Sequence, residues 1–167
     1  GVIAADISLN VPDFRASERT FQLLSQVAGR AGRGEHKGKT YIQTFKADHP
    51  SLVAAQNHDY DSIFEEILAE RREVGYPPFR RLVNILITGT SLEAVNGIGV
   101  LAKDRLSRAL PDAEILGPVA CVIEKIQNQW RKHLVLKLPP WAEVKPIQEA
   151  LEGLHDPGAK LIIDVDP

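Results

Sequence analysis

The amino-acid sequence predicts two regions of different class, an α/β region followed by a smaller α+β region, and three observations carry that reading. Residues 1–45 run strand, loop, helix, strand, the succession that builds a parallel sheet. Gly75-Tyr76-Pro77-Pro78-Phe79 then breaks regular structure, because proline removes a backbone donor and restricts the residue before it. Beyond the break the order becomes strand, helix, strand, strand, helix, strand, the split-βαβ pattern. The expected domains are therefore 1–78 and 79–167.

Taken in order, Val2 to Ala5 is an apolar run suited to a buried parallel strand, and Asp6 stands at its carboxyl end. Ligands of open α/β sheets collect at such strand ends, so Asp6 is a site candidate; the alternative is that it caps or turns the chain. Asn10-Val11-Pro12-Asp13 is a turn, and Asp13 can cap the helix after it. Arg15 and Arg19 sit four apart on the first turns of that helix, where cations oppose its dipole. They are candidates for binding an anion or for pairing with acids. Gly34 to Lys39 reads as a polar turn, and Thr40 to Phe45 alternates as a strand. His49-Pro50-Ser51 opens a second helix with Ser51 as a possible cap. Tyr60 to Val74 is amphipathic, with Ile63 and Ile67 on its apolar side, acids first and Arg71 and Arg72 last.

In the second region Leu82 to Thr88 is a strand, and Thr90-x-x-Glu93 is a capping box. The helix it opens has a stripe of Leu92, Val95, Ile98, Ala102, Leu106 and Ala109. Glu114 to Leu116 and Ala120 to Ile126 form a strand interrupted at Gly117-Pro118. Gln127-Asn128-Gln129 is a turn, Trp130 to Leu138 a strand, Ala142 to Leu154 a helix, and Lys160 to Val165 the last strand.

Composition sets bounds on function. Hydrophobic residues make 44% and charged residues 25%, an ordinary globular mix, and no apolar run approaches the ~20 residues of a membrane helix. A start inside an apolar run, with neither methionine nor basic leader, is what a piece of a longer chain presents. The single cysteine, Cys121, excludes an internal disulfide and a cysteine-based zinc site in this sequence, and fits a reducing cytoplasm. Net charge is −2, so a nucleic-acid role must rest on local patches.

Two such patches stand out. On a helix, Gln26, Arg30 and Arg33 share one face while Phe21, Leu24, Ala28 and Ala31 take the other. Gly29 and Gly32 lie beside the polar face. A helical glycine costs ~1 kcal/mol relative to alanine, and close approach of a ligand or a second surface is a reason to keep it. Guanidiniums beside bare backbone suit a phosphate chain. The second patch is the hairpin from Lys125 to His133, which mixes cations, amides and Trp130. Single-stranded nucleic acid is held by cations and stacking aromatics in this way. Trp130 and Lys132 share a strand face with Leu134 and Leu136, and Arg131 and His133 share the other. The alternative for Trp130 is that it fills the edge of the core.

Gln26-x-x-Gly29-Arg30-x-Gly32-Arg33 resembles motif VI of superfamily two helicases, and the segment around Asp6 matches motif V. Ala5 to Leu9, Pro12 to Ala16, Glu18-Arg19, Gln22 to Leu24, His49-Pro50, Leu68 to Arg72, Tyr76-Pro77-Pro78, Leu116-Gly117-Pro118 and Leu161 to Pro167 extend the match. Together they make the whole sequence similar to the C-terminal end of the primosomal protein N′ family of replication-restart DNA helicases. That resemblance implies part of a RecA-like second helicase lobe followed by a small ribosomal-protein-like domain. It implies ATP and Mg²⁺, with zinc in the parent protein and none here. Forked or single-stranded DNA, single-stranded-DNA-binding protein and other primosome proteins are the implied partners. Arg30 would be an arginine finger and Arg33 its partner on the phosphates, with Gln26, Gly29 and Asp6 at the nucleotide cleft. Arg15, Lys125, Trp130, Arg131 and Lys132 are the candidate DNA contacts.

The sequence lacks a Gly-x-x-x-x-Gly-Lys-Ser/Thr phosphate loop, so these residues are not expected to hydrolyse ATP alone. The alternative function is a non-catalytic nucleic-acid or protein-docking module, and an RNA-binding module is a third reading.

Overall fold

The computed structural model, which describes residues 1–31 and 39–167, divides into two units at Val74–Gly75. In the first unit, helices carry the packing: α1 (Asp6–Leu9), α2 (Ala16–Ala31), α3 (Pro50–Asn57) and α4 (Tyr60–Val74). Phe21 and Leu24 of α2, Leu52, Ala54 and Ala55 of α3, and Ile63 and Ile67 of α4 form the core with Ala5. The two strands expected here reduce to one parallel bridge, Val2 to Ile42. Val2 N–H donates to Tyr41 O, and Gln43 N–H donates to Val2 O, both at 2.9 Å. Ala4 takes a left-handed φ of 55°, which turns the chain out of the extended direction, and α1 follows at once.

Two caps also differ in detail from expectation. His49, not Ser51, is the cap of α3: its Nδ1 accepts from the Ser51 N–H at 3.2 Å. Ser51 is a buried residue of the helix itself. Between helices, Arg71 of α4 reaches Glu18 of α2 at 2.8 Å, and this partly buried ion pair ties the two together.

The second unit is an α+β sandwich of one sheet and two helices. Its elements are β1 (Arg81–Gly89), α5 (Leu92–Ala109), β2 (Glu114–Ile126), β3 (Gln129–Leu138), α6 (Lys145–Leu151) and β4 (Ala159–Val165). Sheet order is β2-β3-β1-β4, and each neighbouring pair is antiparallel. Strand alternation puts Val83, Ile85 and Ile87 of β1 and Leu134, Leu136 and Leu138 of β3 on one face. There they meet Val95, Ile98, Ala102 and Leu106 of α5 and Ile147 and Leu151 of α6. Each such aliphatic contributes roughly 1.5–3 kcal/mol by leaving water.

Ser91 rather than Thr90 caps α5, its Oγ accepting from the Ala94 N–H at 3.3 Å. α6 is shorter than the expected span of 142–154. Pro146 sits in its first turn, where a missing N–H costs nothing, and Glu152 leaves the helix with ψ 136°. The segment before β1 belongs to the sheet unit, with the Tyr76 ring 5.4 Å from Lys137 Nζ of β3.

β2 runs on through Gly117-Pro118 by shifting register, from Leu116 opposite Val135 to Val119 opposite His133. Gly117 has φ +96°, and a Cβ there would lie 2.6 Å from the His133 carbonyl, so only glycine fits. At the hairpin tip Gln127 and Asn128 both have positive φ, the backbone of a two-residue type I′ loop, and Gln129 already belongs to β3. Among the described residues no helix is long and apolar enough to cross a membrane.

Candidate functional site

The polar face of α2 is built as its spacing requires. Phe21 and Leu24 anchor the helix in the core, which turns Gln26, Gly29 and Arg30 outward, and all three are exposed. A Cβ built on Gly29 would meet nothing within 4 Å, so bare backbone faces open space beside the Arg30 guanidinium. No hydrogen bond or ion pair among the described residues engages Arg30. Arg33 and Gly32, the other half of the arginine pattern, lie outside the described residues. A cleft of about 450 Å³ between α2, α3 and residues 40–47 is lined by Ala28, Ile42, Thr44, Leu52, Gln56 and His58. It opens on the Ala28 side of α2, away from the arginine face.

Asp6 is not open to a ligand. It is buried, its Oδ1 accepts from the Thr44 hydroxyl, and its Oδ2 accepts from the Phe45 N–H at 3.0 Å. The Thr44 hydroxyl and then the Phe45 N–H favour the charged form and hold the carboxyl below its ordinary value. The turn reading of Asp6 is thus the one its geometry carries: it pins the start of α1 to residues 44–45. Ser8 adds a second tie, donating to Ala5 O at 2.8 Å and accepting from the buried Thr20 hydroxyl of α2 at 2.9 Å.

Arg15 and Arg19 pair with an acid close by in sequence. Arg15 Nε lies 3.2 Å from Asp13 Oδ1, and Arg19 takes Asp13 Oδ2. Burial raises the Asp13 pKa, but the Arg15 N–H, the Arg15 guanidinium and the two positive charges outweigh it and hold the carboxyl below its usual range. Arg15 also lies 4.9 Å from the Phe14 ring, and Arg71 lies 5.0 Å from the same ring. Of the α2 arginines, Arg30 is the one left unclaimed among the described residues.

In the second unit the faces of β3 separate the hairpin candidates. Trp130 packs against the core from its edge, and the exposed Lys125 places its Nζ 4.6 Å from the indole centroid. The core-edge alternative therefore describes Trp130, with a cation already over its ring. Lys132 lies on the same face, opposite Ile87 and Ala120. Arg131 and His133 are on the face away from the helices, opposite Thr88 and Leu86. Burial first, then the Arg131 charge, lowers the His133 pKa below its ordinary value, so it adds no charge at neutral pH. Burial raises the Cys121 thiol and the Arg131 charge only partly offsets this, leaving it protonated. Among the described residues no group of three or more His, Cys, Asp or Glu could hold a metal ion.

Sequence reasoning did not find the Asp6–Thr44–Phe45 lock, whose partners are 38 and 39 residues away. It also missed the departure of Val122 and Ile123 from the β2 ladder. The apolar run of Cys121, Val122 and Ile123 was the available signal, and it reads equally well as a regular strand.

Two units, one with a solvent-facing arginine on a glycine-notched helix and one with a cationic hairpin on an antiparallel sheet, define an α+β chain with cationic side chains at the surface of each half. The chain belongs to the primosomal protein N C-terminal domain family, whose model matches residues 72–167. It is 37% identical over 171 residues to the replication restart protein PriA of Synechocystis sp., an alignment covering 100% of this chain and 20% of that protein. It is 36% identical over 170 residues to the replication restart protein PriA of Treponema pallidum, covering 100% and 26%. The replication restart protein PriA of Bacillus subtilis is 40% identical over 142 residues, covering 82% and 17%. The chain thus spans about a quarter or less of the length of these relatives.

Proposed function

We propose that this chain is the C-terminal part of an ATP-dependent DNA helicase that restarts stalled replication forks. The observation that carries the reading is Arg30, exposed and unpaired among the described residues, beside the open backbone of Gly29 on the outward face of α2. That is what a group reserved for an anion supplied from elsewhere requires. Arg30 and Arg33 complete an ATP site whose phosphate loop and Mg²⁺ ligands belong to other parts of the longer protein. Gln26 couples the nucleotide to lobe closure. Asp6 acts as a positioning residue, because both its oxygens are taken. The parallel bridge between Val2 and Ile42 supports assigning the first unit to a RecA-like lobe. The order β2-β3-β1-β4 supports a split-βαβ, ribosomal-protein-like second domain. The hairpin of that domain engages branched or single-stranded DNA, and the domain serves single-stranded-DNA-binding protein and other primosome partners. The compartment is the cytoplasm.

An arginine that meets charge developing on a transferring phosphoryl group is worth ~10³–10⁵ in turnover. In the full-length protein Arg30→Ala should lower DNA-stimulated kcat for ATP by at least about 10³, with affinity for forked DNA within about twofold. Turnover near that of the unaltered protein removes the assignment. The 167-residue chain alone should show no ATPase.

A second reading, a docking module without chemistry of its own, is favoured by the hairpin. Residues 119–133 hold Lys125, Arg131 and Lys132 against Glu124, a local charge of +2 in a chain of net charge −2. Each phosphate neutralised steepens the salt dependence of binding by about 0.9 in log–log slope, so a flat dependence would argue for a protein partner.

A further inference from the structure

An apolar bulge beside the hairpin cations is left unused by the reading above. Between Ala120 and Lys125 β2 advances five residues, while β3 advances two, from Lys132 to Trp130. The surplus residues leave the ladder, and Val122 and Ile123 stand out from the sheet 84% and 58% exposed. β2 is also an edge strand, with β3 as its one neighbour among the described residues. Two adjacent β-branched side chains are stiff at χ1, so they form a firm apolar point rather than a pliable surface. Holding them in water is unfavourable unless something covers them.

Their surroundings say what that is. Lys125 is two residues from Ile123, and Arg131 and Lys132 are across the hairpin, an excess of positive charge around the apolar point. A purely apolar protein groove would cover the valine and isoleucine but give the cations no partners. A branch point in DNA offers both surfaces: phosphates on its strands, and the apolar face of the last base pair where the strands part. Apolar side chains inserted at a base step, with cations on the flanking phosphates, are an established way to unstack a duplex.

We propose that the Val122–Ile123 bulge is a wedge that presses against or enters the terminal base pair of a DNA branch point held by the hairpin cations. This rests on the DNA-binding reading of the hairpin. The test uses the full-length protein, a forked duplex carrying 2-aminopurine in the junction pair, and a single strand of the same length. Binding of the unaltered protein should raise junction fluorescence by about twofold or more, the signature of an unstacked base. Val122→Ser with Ile123→Ser should return that fluorescence to the level of free fork. It should also lower preference for fork over single strand by about tenfold and leave the salt slope unchanged. Val122→Ile with Ile123→Val, which keeps two β-branched apolar side chains, should keep the signal. Both side chains lie outside the core, and an unchanged unfolding transition checks that the variants fold.

Lys125→Ala with Arg131→Ala should weaken binding to both DNAs and flatten the salt slope. If the serine variant keeps full junction fluorescence and fork preference, the wedge is overturned while the DNA site stands. If the serine variant loses a protein partner and keeps the junction signal, the bulge is a protein-docking surface and the wedge is equally overturned. If the cation variant changes neither affinity nor slope, the DNA reading of the hairpin falls, and the wedge with it.

Discussion

The two units solve the same packing problem with different means. The sheet unit buries a continuous cluster of large aliphatics, with Val83, Ile85, Ile87, Leu106, Leu134, Leu136 and Ile147 all fully buried. The helical unit has a smaller cluster in which Ala5, Ala54 and Ala55 hold places that large side chains hold in the other. It adds polar ties instead: buried Asp6 accepts from Thr44 and Phe45, and buried Thr20 donates to Ser8. It also leaves Ile3, Ile7, Tyr41 and Phe45 in water, Phe45 at 94% exposure. The sheet unit is held by area. The helical unit leans on specific hydrogen bonds and leaves Arg30 exposed on α2.

That contrast can be broken from its strong side first. Leu136→Ala, in the centre of the sheet core, should cost about 4 kcal/mol, near the upper end for a buried leucine. Leu24→Ala, among smaller neighbours in the helical core, should cost about 2–3 kcal/mol. Urea unfolding of the 167-residue chain, followed by tryptophan fluorescence for the sheet unit and amide exchange for each unit, separates the two. Equal losses would mean that the cores are equivalent.

A smaller effect sharpens the contrast through pH. The Asp6 carboxyl titrates below its ordinary value of 3.8, because Thr44 and Phe45 favour its charged form. A depressed folded pKa contributes stability that is present above the unfolded value and is lost as pH falls through the folded one. Acid below about pH 3.8 should therefore loosen the helical unit before the sheet unit. Asp6→Asn should flatten that dependence, measured as protection of the Phe45 amide against hydrogen exchange. An unchanged acid profile in the variant would leave Asp6 without the role its contacts give it.

Legibility in the sequence followed the same division. Helix α4, helix α5 and strands β1, β3 and β4 were readable because burial imposes a period on them: Ile63 and Ile67, Val95, Ile98, Ala102 and Leu106, or the alternation through Leu134, Leu136 and Leu138. Residues 1–45 were misread in part. Val2-Ile3-Ala4-Ala5 looks like a strand by composition, but its course is set by Ala4 and by contacts to residues 41–45 that no local pattern announces. The outward direction of Arg30 was legible, since three and four residues from the buried stripe is geometry. The sealing of Asp6 was not, since it depends on Thr44 and Phe45 arriving from far along the chain. Trp130 offered two roles that strand periodicity alone does not separate, and packing against the core separated them.

In the proposed function Arg30 acts for a ligand and not for the fold. Unfolding free energy and single-turnover ATP hydrolysis, measured on one preparation of the full-length Arg30→Ala protein, test this most directly. The expected result is stability within about 0.5 kcal/mol of the unaltered protein and hydrolysis slowed by about 10³ or more. Hydrolysis at the original rate, or a stability loss of about 2 kcal/mol that accounts for the defect, would contradict it.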